Sequence, residues 1–364
     1  MSASWPLKPL SEIAEVISGQ SPKGEFYNDS GEGLPFYQGK KEFQEKYIGS
    51  PTKWTSKSTK IAYEGDILMS VRAPVGPINF STQEICIGRG LAAIRVSEDM
   101  NRDFLFYQLL FKQNEISGKD GAVFPSINRA MIGEIQVVVP PMEEQQRIID
   151  ILDEAIAKIK DSIDNVQSVT NSMKELIVTK LQTVFHEDSL EWEKIPFEQS
   201  IVKVKATPKI KKREFKESGS YPIISQEMDY INGYWNNSDD LLTILTPVVV
   251  FGDHTKTLKY VDFDFVRGAD GLKVLQPIES ILPKFFYHQL RSVKLETLGY
   301  ARHYRLLKQI EIRVPGMEHQ HQIVSMFEDL AVQVSHMDRL YERKLQFLEE
   351  LKQSILQEAF NGNM

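Results

Sequence analysis

The sequence predicts an α+β fold. It comprises two mixed α/β domains joined and separated by two long antiparallel coiled-coil helices, built as a tandem repeat with pseudo-two-fold symmetry. Three observations predict it. One unbroken amphipathic stretch runs from Pro140 to Phe185; the same stretch returns from Val314 to Phe360; and strand patterns precede both in the same order.

The first stretch is read as one helix. Pro140-Pro141 cannot continue a strand ladder and is tolerated where a helix begins. Beyond the pair, Ile148, Leu152, Ala155, Ile159, Ile163, Val166, Val169, Met173, Leu176, Leu181 and Val184 recur mostly at three- and four-residue steps. That is one apolar stripe on one helix, and no Gly or Pro interrupts it. Roughly 40 residues at about 1.5 Å each make a rod on the order of 60 Å.

At an offset of 175 positions the second stretch aligns with the first without a gap. Pro315 falls on Pro140, Met317 on Met142, Glu318 on Glu143 and Gln320 on Gln145. Ile323 falls on Ile148, Leu351 on Leu176, Leu356 on Leu181 and Phe360 on Phe185. A match of that length marks a duplication. It divides the chain into a first head (1–139), a central helix (140–186), a second head (187–314) and a C-terminal helix (315–364). Two units related by a pseudo-two-fold axis run their helices antiparallel.

Each head reads as short strands with one helix. In the first, Trp5 to Ile17 suggests an edge strand or short helix, followed by a glycine-punctuated loop. Gly65 to Gly76 is a buried strand ending in a Pro/Gly loop with Arg72 at its mouth. Gly90 to Val96 is another strand, Arg102 to Asn114 a helix, Gly118 to Asn128 a loop and Ile135 to Val139 the strand that feeds the long helix. The second head repeats this order. Trp192 answers Trp5, Gly271–Leu275 answers Gly90–Ile94, Phe285–Leu290 answers Phe104–Leu109, and Ile310–Val314 answers Ile135–Val139. The offset changes between these landmarks, so the frame is shared and the loops have diverged, as expected of two recognition surfaces for different ligands.

Composition narrows the class. A chain of 364 residues with 41% hydrophobic content can build more than one core. No apolar run reaches membrane-spanning length, and the opening M-S-A-S-W-P-L-K-P-L lacks the apolar segment of a secretory signal. A single cysteine, Cys86, excludes an internal disulfide and reads as a small buried residue; a cytoplasmic setting is expected. The net charge of −7 argues at first against nucleic acid. The balance is uneven, however: the long helices are acidic, whereas Lys203 to Lys216 carries seven cations against Glu214 alone.

Catalytic signals are poor. Val139-Pro140-Pro141-Met142 has the outline of an amino-methyltransferase loop without the polar residue that would hold the target amine. Gly33 to Lys41 has the wrong glycine spacing for a phosphate loop. His319 and His321 have no third ligand in view, and Glu342-x-Lys344 sits on a helix surface. No catalytic residue and no metal ligand are expected. Binding signals are better, because phosphate contacts need Lys and Arg while base readout needs polar side chains on protruding loops. The candidates are Lys40, Lys41, Arg72 and Arg89 in the first head. In the second they are Lys209, Lys211, Lys212, Arg213, His254, Thr255, Lys256, Arg302, His303, Tyr304 and Arg305.

With these residues in view, the chain resembles the specificity subunits of type I restriction-modification enzymes. The resemblance rests on Gly65-Asp66-Ile67-Leu68 with Arg72-Ala73-Pro74-Val75-Gly76, and on Pro140-Pro141-Met142-Glu143-Glu144-Gln145. It rests also on Val250-Phe251-Gly252-Asp253-His254 followed by Phe265-Val266-Arg267-Gly268-Ala269-Asp270-Gly271. The second copy departs at Gly316 and His319 and lacks the R-A-P-V-G loop. The resemblance implies two target recognition domains on double-stranded DNA, each reading half of a bipartite asymmetric site, with the helices setting the spacing. It implies two modification subunits carrying S-adenosylmethionine, and allows two restriction subunits that use ATP and Mg; no cofactor is expected on this chain. The helix starts, Pro140, Pro141, Glu143, Gln145, Pro315, Glu318 and Gln320, become candidates for docking those subunits. Two rivals remain: an enzyme that both reads and modifies DNA, disfavoured by the missing cofactor loop, and a coiled-coil scaffold with two protein-binding heads, disfavoured by the basic, aromatic-interleaved loops.

Overall fold

The computed structural model describes residues 5–118, 126–186, 191–269, 271–296 and 302–361. Two compact units divide the chain, Met1–Asn165 with Arg343–Met364, and Val166–Glu342. Each unit thus holds one head, the start of the long helix that follows it, and the end of the other long helix. The long helices span Met142–His186 and Met317–Phe360. At 45 residues the first is roughly 65 Å long, close to the length expected.

In the first unit, Leu7–Pro9 pairs antiparallel with Gln136–Val138, so the strand entering the head lies beside the one leaving it. An antiparallel sheet then runs in the order Ala14–Ser18, Leu91–Val96, Ile67–Ser70, Ile78–Phe80. A second, mixed sheet contains the parallel pair Leu34–Tyr37 and Ile85–Ile87. Cys86 is buried within it, as the sequence suggests. The expected helix is present as Arg102–Phe111, capped by the Asn101 side chain, and a separate turn of helix covers Gln113–Ser117. A short helix at Arg129–Gly133 has no counterpart in the sequence reading. Of the loop expected over Gly118–Asn128, residues 119–125 lie outside the described residues.

The second unit repeats the plan. Glu193–Pro196 pairs with Glu311–Val314. The antiparallel sheet runs Ile201–Val202, Leu272–Pro277, Val248–Gly252, Leu258–Val261. Its mixed sheet contains the parallel pair Tyr221–Ile224 and Phe265–Gly268. The helix is Pro283–Ser292, with proline in its first turn.

Three sets of contacts fasten each head to the helix segments of its unit. Gln145 and Gln320 are buried, and their amides do the same work. Gln145 donates to the carbonyls of Pro140 (2.9 Å) and Asp99 (3.1 Å) and accepts the Asn101 N–H (2.8 Å). Gln320 donates to the carbonyls of Pro315 (2.9 Å) and Ser280 (2.8 Å) and accepts the Leu282 N–H (2.8 Å). Each glutamine therefore satisfies backbone groups where its own helix and the head's helix both begin, groups that cost free energy when buried alone. The second set is ionic. Lys46 reaches Asp103 (3.0 Å) and Asp153 (3.3 Å). At the equivalents of those two aspartates, Lys284 pairs directly with Glu328. The third set is aromatic: Phe360 meets Phe104 edge-on at 5.5 Å in the first unit, and Phe185 meets Phe285 at 5.3 Å in the second.

The Gln145→Leu variant removes three hydrogen bonds and leaves their backbone partners without one. Loss of about 2 kcal/mol or more is expected for the first unit. Urea denaturation followed separately in the two units measures it, and an unchanged midpoint would show that water replaces the amide.

His288 lies where the first unit has Tyr107. The Tyr107 hydroxyl donates to Asp153, whereas the His288 ring stacks on Phe327 at 4.9 Å and its Nδ1 is buried without a partner. Burial pushes its pKa down to about 4. The unfolded chain, with a pKa near 6.5, takes up the proton first, so stability is complete above about pH 6.5 and falls as pH drops towards 4. The loss is on the order of 3 kcal/mol. The His288→Phe variant should flatten that part of the stability–pH curve; a curve of unchanged slope would show that His288 is accessible to protons in the folded unit.

Candidate nucleic-acid interface

In both heads the parallel pair of the mixed sheet and the central strand of the antiparallel sheet end together, and the candidate cations cluster there. In the first head the strands Leu34–Tyr37, Ile67–Ser70 and Ile85–Ile87 deliver Gln38, Val71 and Gly88 to one place. Gly90 donates to the Gln38 carbonyl (3.1 Å), and Val71 donates to the Gly90 carbonyl (3.0 Å). A Cβ on Gly90 would lie 2.5 Å from the Gln38 carbonyl oxygen, so only glycine permits this approach. Arg89, beside it, is held outward and exposed; its N–H donates to Ser21 Oγ (3.3 Å), which donates to Gln38 Oε1 (2.9 Å). Arg72 is exposed one residue beyond Val71, in a β-bridge with Ser126. Lys40 and Lys41 open the turn Lys40–Glu42, two residues after Gln38. All four predicted cations of the first head therefore share one end of it.

The second head builds the same end with other side chains. Gly271, the counterpart of Gly90, has φ +87° and takes Gln226 and His254 against it. Gln226 Oε1 accepts the His254 N–H (3.2 Å), and the Gln226 carbonyl accepts Thr255 Oγ1 (2.6 Å). His254 and Thr255 are exposed, and Lys256 has a left-handed φ of +60° that closes the turn, its N–H donating to the Gly252 carbonyl (2.8 Å). Lys211, Lys212 and Arg213 are exposed on a neighbouring turn, where Lys212 pairs with Glu227 at 2.6 Å and the Lys211 N–H donates to Glu214 (3.2 Å). Lys209 sits beside Arg267 in the parallel pairing of Lys209–Ile210 with Phe265–Gly268.

Other expectations need correcting. His303 is buried, and its N–H donates to the Asp253 carbonyl (2.8 Å). The Tyr304 N–H donates to Asp253 Oδ1 (2.7 Å), and its ring packs between Phe197 and Phe251. The two residues anchor the short helix Tyr304–Leu307, which a four-residue segment does not announce in sequence. Only Arg302 and Arg305 of that group are exposed. Among the helix-start residues, Pro140, Pro315, Gln145 and Gln320 are buried, so they shape the helix start and present no docking surface; Pro141, Glu143 and Glu318 are exposed.

Sequence reasoning missed the organising residues Gln38 and Gln226, and it missed Lys259. This lysine is buried and donates to the Asp229 carbonyl, to Asn232 Oδ1 (3.0 Å) and to the Tyr230 carbonyl (3.5 Å). Burial pushes its pKa down to about 8. It ties the turn over 229–232, where Tyr230 and Ile231 are exposed beside Met228, to the strand Leu258–Val261. An alternating strand pattern gives no sign of a buried cation.

Residues 3–166 and 190–342 each match the type I restriction modification DNA specificity domain. The chain belongs to that family. Each match takes in one head and roughly the first half of the long helix that follows it, in keeping with the internal repeat. Among relatives, the chain is 41% identical over 165 residues to a Methanocaldococcus jannaschii protein assigned as the specificity subunit of type I restriction enzyme MjaX, covering 45% of this chain and 37% of that one. It is 27% identical over 190 residues to the MjaIX specificity subunit of the same organism, covering 49% and 42%. The matched segments thus span less than half the length of these relatives. A chain solved in work on complex assembly and conformational transition of a type I restriction-modification system superposes with a TM-score of 0.77 over 100% of this chain and 99% of that one, at 17% identity. That likeness shows the fold. Among the described residues, no helix is long and apolar enough to cross a membrane.

Replacing Lys259 with Met keeps the bulk and removes every hydrogen bond to the 229–232 turn. A loss of about 1–3 kcal/mol in the second unit is expected, with faster proteolysis at that turn. Limited proteolysis with mass mapping reads this, and protection equal to wild type would show that the turn holds itself.

Proposed function

We propose that this chain is the non-catalytic DNA-recognition subunit of a type I restriction-modification complex. Each head would read one half of a bipartite, asymmetric double-stranded target. The observation that carries this reading is the pairing of one frame with two different ends. Arg72, Arg89, Lys40 and Lys41 crown the first head, and His254, Thr255, Lys256 and the Lys211–Arg213 turn crown the second. Cations at the margins suit phosphates, while Gln38, Arg89, Gln226 and His254 offer donors and acceptors of the kind that read base edges in a major groove.

In this reading the long helices set the spacing between half-sites, and the exposed Pro141, Glu143 and Glu318 belong to the surface that docks two modification subunits. Those subunits would supply S-adenosylmethionine and the adenine methylation. Restriction subunits, where present, would add ATP- and Mg-dependent translocation and cleavage, with the complex acting in the cytoplasm.

Methylome sequencing of cells with and without the chain is the test. The expected result is loss of one bipartite adenine motif whose two halves differ in sequence; a perfect palindrome would show that the divergence between the heads carries no readout. Duplicating Thr170–Met173 should lengthen the spacer by one or two base pairs and leave both halves unchanged, since four residues add about 6 Å of helix. An unchanged spacer in an active complex would remove the helices from that role.

A further inference from the structure

Arg267 is a cation that the fold does not require. It is the third residue of the strand Phe265–Gly268, which runs parallel to Tyr221–Ile224, and lies level with Ile224. In the first head the same level of the parallel pair, opposite Tyr37, is held by Ile87, which is fully buried. Lys273, on the next strand, corresponds to the buried Ala92. An aliphatic pair therefore completes this frame in one head, and an Arg/Lys pair stands in its place in the other.

The two cations line one cavity of about 560 Å³ together with Lys203, Lys209, Glu198 and Tyr304. Glu198 is engaged by Lys308 at 2.6 Å, and Asp253 comes no closer than 4.0 Å to Lys273. Among the described residues Arg267 has no carboxylate partner, and its Nε is buried without an acceptor. Burial alone moves its pKa, downward from the usual guanidinium value, with no anion acting to raise it. A guanidinium set into a cavity with three lysines, one donor unsatisfied, is an arrangement awaiting an oxyanion. The cavity adjoins the recognition end, because Lys273 pairs with Phe251, two residues before Asp253, and Tyr304 is bonded to Asp253.

We infer that the cavity lined by Arg267, Lys273, Lys209 and Lys203 is a phosphate-binding pocket particular to the second head. A DNA backbone phosphate or a free phosphate could fill it. The inference rests on the DNA-recognition reading only for the first of these sources.

The test uses the full chain and the double variant Arg267→Ile/Lys273→Ala, which gives the second head the residues of the first. Two probes are titrated: inorganic phosphate, by calorimetry, and target and unrelated duplexes, across a salt series. If the phosphate is DNA's, the variant loses about tenfold or more in affinity for both duplexes, and the slope of log K against log salt shrinks by about one. If the phosphate is free, wild type binds inorganic phosphate, the variant does not, and the duplex curves coincide. A folded variant that matches wild type on duplex affinity and slope, with no phosphate binding by wild type, overturns the pocket. Should the variant fail to fold, the single variant Lys273→Ala and the wild-type phosphate titration decide on the same terms. Wild type that binds phosphate but no duplex would keep the pocket and sink the DNA reading.

Discussion

Two buried glutamines hold the arrangement on which the rest depends. A long helix leaving a head must begin without stranding its first backbone groups, and the head's own helix begins beside it with the same need. Gln145 and Gln320 meet both needs with one amide each, donating to the carbonyls of Pro140 or Pro315 and accepting the N–H of Asn101 or Leu282. A carboxylate could not donate and a lysine could not accept. With the amide in place the direction of each helix is tied to its head, and the Phe104–Phe360 and Phe185–Phe285 contacts bring in the helix end contributed by the other half of the chain.

Around that joint the two copies keep positions and exchange chemistry. The ion pair between head and helix survives with its parts rearranged: Lys46 serves Asp103 and Asp153 in one unit, while Lys284 and Glu328 occupy the aspartates' places in the other. Tyr107, bonded to Asp153, is answered by His288, stacked on Phe327. Ile87 and Ala92 are answered by Arg267 and Lys273. A frame that tolerates such exchanges is held by backbone pairing and apolar packing, which leaves its strand ends free to carry different recognition groups.

The charge of the chain makes sense on the same division. An excess of 50 acidic over 43 basic residues describes the whole molecule, yet a nucleic acid responds to the local field. Acidic residues such as Glu143 and Asp150 on the first long helix and Glu318 and Glu350 on the second lie exposed, whereas the strand ends of the heads present Lys40, Arg72 and Arg89, or Lys211, Arg213 and Lys256. Net charge describes neither part, because the acidic excess lies on the long helices while cations of the heads gather at their strand ends.

The sequence by itself determined the duplication, both long helices, the α+β class and the cationic loops, since each is written in periodicity, constant offsets or composition along a contiguous stretch. Cys86 was read correctly for the same reason, lying between isoleucines in a buried strand. Tertiary structure alone decided which polar residues face solvent. His303 and Tyr304 look like Arg302 and Arg305 in sequence, but Asp253, fifty residues away, draws them inward. Gln145 and Lys259 were illegible as structural residues because their partners, Asp99 and Asn101, and Asp229 and Asn232, are brought to them only by folding. Local pattern reports how a segment lies against a core, and only long-range contact reports whether a polar atom already has its partner.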